Sequence, residues 1–237
     1  MTGAVKPRRC ILLFLRAPEP GRVKTRLERH LSRHRVVTLY RAFVEDLLET
    51  IDRSGFSLQI CYCPPNQKAM VRNWLGPDRQ YRAQSGKDLG QRMAHGFATA
   101  FGEGFDQVMV LGSDLPDLPL AVIETAFAHM ASAGPVIGPS TDGGYYLIGF
   151  CRDRFTPDIF SQIAWGGPKV LAQTLDRISA AGLTCRHLPP WQDVDEHDDL
   201  RALAQRLRWG RSSAPRTLAC LNRIEFPDDT IVKKNRL

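Results

Sequence analysis

An α/β fold, with a mostly parallel central sheet and helices on both faces, is predicted by three features of the 237-residue sequence. Short aliphatic runs alternate with segments of helical periodicity. One of the runs, "VMVLG", is continuously apolar, as strands buried on both faces are. The conspicuous polar clusters come just after the apolar runs, where open α/β sheets bind their ligands.

The run "CILLFLRA" reads as a first buried strand. In "VVTLYRAFVEDLLETIDRSG", residues Val36, Leu39, Tyr40, Phe43, Leu47 and Ile51 recur at three- and four-residue steps, which predicts an amphipathic helix stopped at Gly55. "LQICYCPP" is a second strand, ended by prolines that cannot extend it. Helices are predicted at "QKAMVRNWLG" and "LGQRMAHGFATAFGEG". "QVMVLGSDLP" supplies a third strand and "LAVIETAFAHMASAG" its helix; "PVIGPSTDGGYYLIGF" holds two strand pieces around a polar turn. "PKVLAQTLDRISAAG" is a helix, "LTCRHLP" a strand and "DLRALAQRLRWG" a closing helix. After Trp209 the periodicity is lost. The expected organisation is one domain over residues 10–209 and a basic tail over 210–237, which packs partly, stays mobile or serves as an oligomerisation arm.

Hydrophobic residues make up 43% and charged residues 24% of the chain, enough for a core without metals or disulfides. No apolar run approaches the ~18 uncharged residues of a membrane span. The N-terminal stretch has a short apolar core, contains Arg16 and lacks a small-residue cleavage site, so a cytoplasmic location is expected. The six cysteines are scattered without a zinc-ligand pattern and read as reduced core residues. The formal net charge of +7 admits nucleic acid, an anionic membrane surface or a phosphorylated small molecule. No nucleic-acid motif occurs, and the basic residues gather in residues 16–35 and the last thirty rather than along one helix face, so a small polyanion is the better fit.

Four polar clusters follow strands and should converge on one edge of the sheet. In "RAPEPGRVKTR", Gly21 allows close backbone approach, prolines stiffen the loop, and Arg22, Lys24 and Arg26 supply cations for phosphate oxygens; a solvated basic loop is the bland alternative. In "VLGSDLPDLP", Asp114 is a carboxylate on a rigid support, as Mg2+ or Mn2+ requires, unless it or Asp117 caps the next helix. In "GPSTDGGYY", Asp142 before Gly143 and Gly144 is also explained as a hairpin turn. In "DVDEHDDL", Asp198 and Asp199 suit a first helical turn, and Asp193 and Asp195, two apart on an extended segment, face one side.

With "RAPEPGRVKTRL", "QSGKDLGQRM", "VLGSDLPDLP", "IGPSTDGGYYLIGF", "AWGGPKVLAQTL" and "DVDEHDDL" in this order, the chain resembles the nucleotide-diphospho-sugar transferase superfamily. Within it, the chain resembles a bacterial group of uncharacterised proteins labelled arsenosugar-biosynthesis-type glycosyltransferases. The likeness covers roughly residues 10–209 and implies a Rossmann-like fold of the glycosyltransferase A (GT-A) type. It implies that Arg16, Ala17, Pro18, Gly21, Lys24 and Arg26 form a nucleotide-phosphate loop, with Lys24 and Asp114 catalytic. Gln84 and Gly86 match the segment that reads the base, Asp114 the metal-binding aspartate and Asp195 a second ligand for Mg2+ or Mn2+. Asp142, Gly143, Gly144 and Tyr145 look like the acceptor-side turn. The sequence departs from the group at Arg16, where lysine is usual, and at "AWGGP", which replaces Trp-Ser-Thr.

The expected activity is metal-dependent transfer from a nucleotide sugar or nucleoside triphosphate to a small-molecule acceptor. Glycosyl transfer would release a nucleoside diphosphate, whereas nucleotidyl transfer to a phosphorylated acceptor would release pyrophosphate. The alternative from another class is a non-catalytic nucleotide-sensing module.

Overall fold

The computed structural model describes residues 6–210 and 213–224. Seven strands form one sheet in the order β3-β2-β1-β4-β6-β5-β7. Strand β1 (Arg9–Arg16) lies at its centre, parallel to β2 (Ser57–Cys63) on one side and to β4 (Gln107–Gly112) on the other. A βαβ crossover can reach only one neighbour, so successive crossovers diverge from β1, and the carboxyl ends of β1 and β4 form a switch point that opens a crevice. Strand β3 (Gln80–Ala83) extends the parallel half, while β6 (Tyr145–Cys151) runs antiparallel between β4 and β5 (Val136–Pro139). The edge strand β7 (Arg186–His187) pairs parallel to β5.

Period-two alternation divides β1 between the two faces. Ile11, Leu13 and Leu15 enter a core layer with α1 (Arg33–Asp52), α2 (Lys68–Leu75) and α4 (Leu120–Ala133); Cys10 and Leu12 enter the opposite layer with α3 (Leu89–Gly102) and α5 (Val170–Ala180). This two-sided burial explains the unbroken apolar run. Ser32 starts α1 by accepting a hydrogen bond from Arg35 N, and Asp88 starts α3 by accepting one from Gln91 N. The α6 helix (His197–Arg208) opens with a capping box between Glu196 and Asp199, in line with the acidic first turn expected there.

Two elements differ from expectation. The four-residue β3 follows a Pro-Asp break and has no long apolar run, so periodicity does not announce it. "LTCRHLP" keeps only two strand residues, because β7 is an edge strand reached just before two prolines. Neither Asp114 nor Asp117 caps α4, whose N-cap is Pro119. Asp117 is instead buried, accepting hydrogen bonds from Trp191 Nε1 and Arg206 Nε.

Part of the segment after Trp209 is packed. Helix α7 (Pro215–Leu221) lies against α1, with Ala214 and Leu221 buried in a third core cluster shared with α6, and with Thr217 also buried. Residues 211–212 and 225–237 of the expected tail lie outside the described residues. None of the six cysteines is in a disulfide, and among the described residues no helix is long and apolar enough to cross a membrane.

Candidate functional site

A cleft of about 710 Å³ opens at the carboxyl ends of β1, β2 and β4. Of the residues singled out from the sequence, Arg16, Arg22, Lys24, Arg26, Gln84, Asp114 and Asp195 line it, drawn from separate segments of the chain. Ala17 and Pro18 are buried behind its rim, and Gly21 turns the loop with φ 74°. Gly86 supports the wall, its carbonyl accepting from Arg92 Nε. A side chain at Gly86 would collide with Gln91 and the Arg92 amide, which suits a residue with no Cβ.

The loop entering the cleft is held from beneath. Arg16 N donates to Tyr40 Oη at 3.0 Å, and Tyr40 Oη donates back to the Arg16 carbonyl at 3.1 Å. Burial, with Asp114 nearby, pushes the Tyr40 phenol up to about 12, so it stays protonated as a donor. Val23 and Leu27 are buried on either side of Lys24, anchoring the backbone there in a left-handed conformation (φ 46°, ψ 43°) rare for a residue with a side chain.

Lys24 turns inward. Its Nζ lies 2.9 Å from Asp114 Oδ2 and 2.5 Å from Asp195 Oδ1, and its side chain is 4% exposed against 36% and 41% for the two carboxylates. Burial opposes the charged form, but Asp114 and Asp195 together outweigh it and hold the ammonium above its ordinary range. Arg16, Arg22 and Arg26 line the same cleft, so its mouth is basic while its floor carries the ion triad.

Gln84 Nε2 donates to the carbonyls of Cys61 (2.7 Å) and Leu15 (3.3 Å), which commits its amide donors to the strands and leaves its oxygen as the free polar group. Beside it Arg92, projecting from α3, reaches Cys63 Sγ as well as the Gly86 carbonyl. Arg92 and Tyr40 were not picked out by sequence reasoning. "DLGQRM" follows a predicted helix start, where an arginine one turn in faces the sheet edge, and that spacing was the available signal.

The residues of the expected acceptor-side turn are not in the cleft wall. The turn links β5 to β6 as a hairpin: Gly144 N donates to Asp142 Oδ1 at 2.9 Å and Ser140 N to the Gly144 carbonyl. Gly143, at φ 89°, sits so close to the Pro168 carbonyl that no side chain fits, and Leu171 N donates to its carbonyl, so the turn rests on the "AWGGP" segment. Tyr145 packs into the core layer with α5 rather than toward the cleft. Ser140 Oγ joins the turn to the last strand's loop, donating to Asp142 Oδ1 (2.5 Å) and contacting Asp193 Oδ1 (3.3 Å). Burial, then Asp142 and Asp195, push the Asp193 carboxyl up to about 6.

The test of a divalent ion is the chemistry of this donor set. Two hard carboxylate oxygens, Asp114 Oδ2 and Asp195 Oδ1, meet within hydrogen-bond distance of one cationic atom, Lys24 Nζ. Among the described residues no group of three or more His, Cys, Asp or Glu forms a fuller cage. Two carboxylates suit Mg2+ or Mn2+, which take the rest of their shell from water and phosphates, and do not suit a structural zinc site.

The mostly parallel seven-stranded sheet, with its cleft at the switch point, matches the fold of the nucleotidyltransferase and GT-A-like structures to which the chain is similar. The chain belongs to the family described as "Uncharacterized protein conserved in bacteria (DUF2064)", whose model matches residues 47–167. It is similar to a crystal structure from Desulfovibrio desulfuricans G20 provisionally designated a nucleotide-diphospho-sugar transferase, at 39% identity over 96% of this chain and 98% of that one, with a TM-score of 0.87. At the level of fold alone it is similar to CMP:2-keto-3-deoxy-manno-octonic acid synthetase complexed with CTP, at 13% identity over 86% and 99% of the two chains, TM-score 0.53. The same holds for Rv0371C from Mycobacterium tuberculosis H37Rv in complex with manganese, at 14% identity over 84% and 99%, TM-score 0.50. No protein of curated function matches the sequence.

Proposed function

We propose that this protein is a metal-dependent transferase that binds the phosphates of a nucleotide sugar or nucleoside triphosphate in the 710 Å³ cleft and passes a glycosyl or nucleotidyl group to a small acceptor. The observation that carries the reading is the meeting, at the sheet's switch point, of three arginines at the mouth with Lys24, Asp114 and Asp195 on the floor. Nucleotide binding by one fold relative and manganese binding by another are consistent with it.

In this reading Arg16, Arg22 and Arg26 neutralise phosphate oxygens, and Gln84 with Arg92 lines the base end. Asp114 and Asp195 would hold Mg2+ or Mn2+, which when bound supplies Lewis-acid stabilisation of the departing phosphate. Tyr40 keeps the Arg16 backbone fixed, so the phosphate loop does not have to be ordered when substrate arrives.

Glycosyl transfer is the leading form. Asp142 and Asp193 lie beside the Asp195 end of the triad, and carboxylates there repel a phosphorylated acceptor but tolerate an uncharged hydroxyl compound. The acceptor's hydroxyl oxygen would then form the new C–O bond as the sugar's bond to the nucleoside diphosphate oxygen breaks, the hydroxyl proton passing to water. The count of cations at the mouth favours nucleotidyl transfer as the second form, because a triphosphate brings more charge. A thermal-shift screen of nucleoside triphosphates and nucleotide sugars, with and without Mn2+, tests the reading. Metal-dependent stabilisation by at least one class is expected, and no shift with any of them would refute it.

A further inference from the structure

We propose that Lys24 is the resident cation of the Asp114–Asp195 pair, that it and a divalent ion exclude one another there, and that substrate phosphates open the metal position by drawing Lys24 away. This inference rests on the proposed nucleotide reading of the cleft.

Three observations carry it. First, Nζ stands 2.9 Å and 2.5 Å from the two carboxylates that make the candidate metal pair, the position a hard cation would take between them. An ammonium and a dication cannot share that position, because like charges a hydrogen-bond length apart repel strongly in a partly desolvated site. Second, the lysine is covered while its partners face the cleft: its side chain is 4% exposed, theirs 36% and 41%. An incoming ion therefore finds open carboxylate edges but meets a charge already seated behind them. Third, the backbone of Lys24 is pinned. Its left-handed φ of 46° is maintained between buried Val23 and the short helical turn Thr25–Arg29, whose Leu27 is also buried. A strained conformation held this firmly on a cleft wall points to a constraint of function rather than of chain routing. With the backbone fixed, the side chain itself is the moving part, swinging from the carboxylates toward phosphates seated among Arg16, Arg22 and Arg26 on the same wall.

The consequence is an order of assembly. Free metal binds weakly to the protein alone, nucleotide and metal bind synergistically, and each tightens the other by the same factor, as linkage requires. Any metal that bridges carboxylates and phosphates gives that synergy; what a lysine that merely braces the end of β4 against the Asp195 segment does not predict is tighter binding of free metal once the lysine is removed.

The test measures Mn2+ binding directly by electron paramagnetic resonance, without nucleotide, in wild type and in Lys24→Met, with Lys24→Gln as a second variant. The proposal expects Mn2+ affinity about tenfold tighter or more in the variants, and the gain to vanish when Asp195→Asn is added. Equal affinity in wild type and in both variants overturns it. If neither variant folds, wild type still decides through its melting temperature with Mn2+ alone, with each ribonucleoside triphosphate in EDTA, and with both. Little shift with millimolar Mn2+ alone, rising once a triphosphate is added, supports the exclusion; a shift with Mn2+ alone as large as with both refutes it. Failure of every triphosphate to shift wild type would instead count against the nucleotide reading, while the exclusion is still decided by Mn2+ binding to the lysine variants where they fold and by the shift of wild type with Mn2+ alone where they do not.

Discussion

Two ionic clusters each join residues far apart in the chain, Lys24 to Asp195 across 171 positions and Arg216 to Asp46 across 170. They differ in what their carboxylates have left to bind. Asp46, with a side chain 1% exposed, accepts from the backbone amides of Arg216 and Thr217 and from the Arg216 guanidinium, so it is saturated and serves to seat α7 on α1. Asp114 and Asp195 face open cleft and give only part of their lone-pair capacity to Lys24. A satisfied buried carboxylate holds a fold together, whereas a half-satisfied one beside a basic mouth is available to a ligand. Charge content alone does not separate the two.

The largest effect should come from the structural cluster. Asp46→Ala leaves the backbone amides of Arg216 and Thr217 without their acceptor, while the Arg216 guanidinium keeps Glu45 and Glu49, and should lower stability by about 3 kcal/mol. Nucleotide affinity of the folded fraction should not change, which denaturant titration and calorimetry together would show. If stability held, the packed role of α7 would be wrong.

Lys24→Ala should cost about 1.5–3 kcal/mol of nucleotide affinity in the presence of metal, the loss of a charge-assisted contact. Stability should also fall, because two carboxylates then face each other without their cation. Unchanged affinity with a lowered melting temperature would make the lysine a brace and nothing more.

How much of this was legible in the sequence follows from distance. The strands, the main helices and the clusters behind the strands are local patterns, and period and turn chemistry show them directly. That seven of the flagged residues meet in one cleft followed from the rule that ligands bind at strand carboxyl ends, which needs only the order of elements. The inward turn of Lys24 was not legible, because its partner Asp195 is placed by the final strand and loop of the sheet. Tyr40 read as one more apolar position of α1, and only its hydroxyl contact with Arg16 shows its second task. Asp142 was open to a turn or a site reading. Its Oδ1 serves the turn, and Ser140 links it to Asp193.

A smaller effect is expected at Asp193, whose folded carboxyl is raised from 3.8 to about 6. The folded state then binds a proton more readily than the unfolded state, so stability falls as pH rises from about 4 through 6 and stays lower above that window. Asp193→Asn should therefore raise stability at pH 7, by about 1 kcal/mol after solvent screening, and flatten the pH profile across the window. A destabilised variant would show that the carboxylate is needed by its neighbours. The smallest structural effect belongs to Arg26, whose pair with Glu196 is exposed at both ends. Arg26→Ala should change stability by less than about 0.5 kcal/mol yet weaken nucleotide binding in a salt-dependent way.

The central claim, that the cleft's open carboxylates serve transfer chemistry, is tested most directly by identifying the released product. Wild type and Asp114→Asn would each be given nucleotide sugars with neutral hydroxyl acceptors, and nucleoside triphosphates with phosphorylated acceptors, in Mg2+ or Mn2+. The account predicts acceptor- and metal-dependent release of nucleoside diphosphate by wild type and none by Asp114→Asn; pyrophosphate release would move the assignment to nucleotidyl transfer. If wild type releases neither product across the panel while both proteins bind nucleotide equally well, the transferase account is contradicted and a nucleotide-sensing module takes its place.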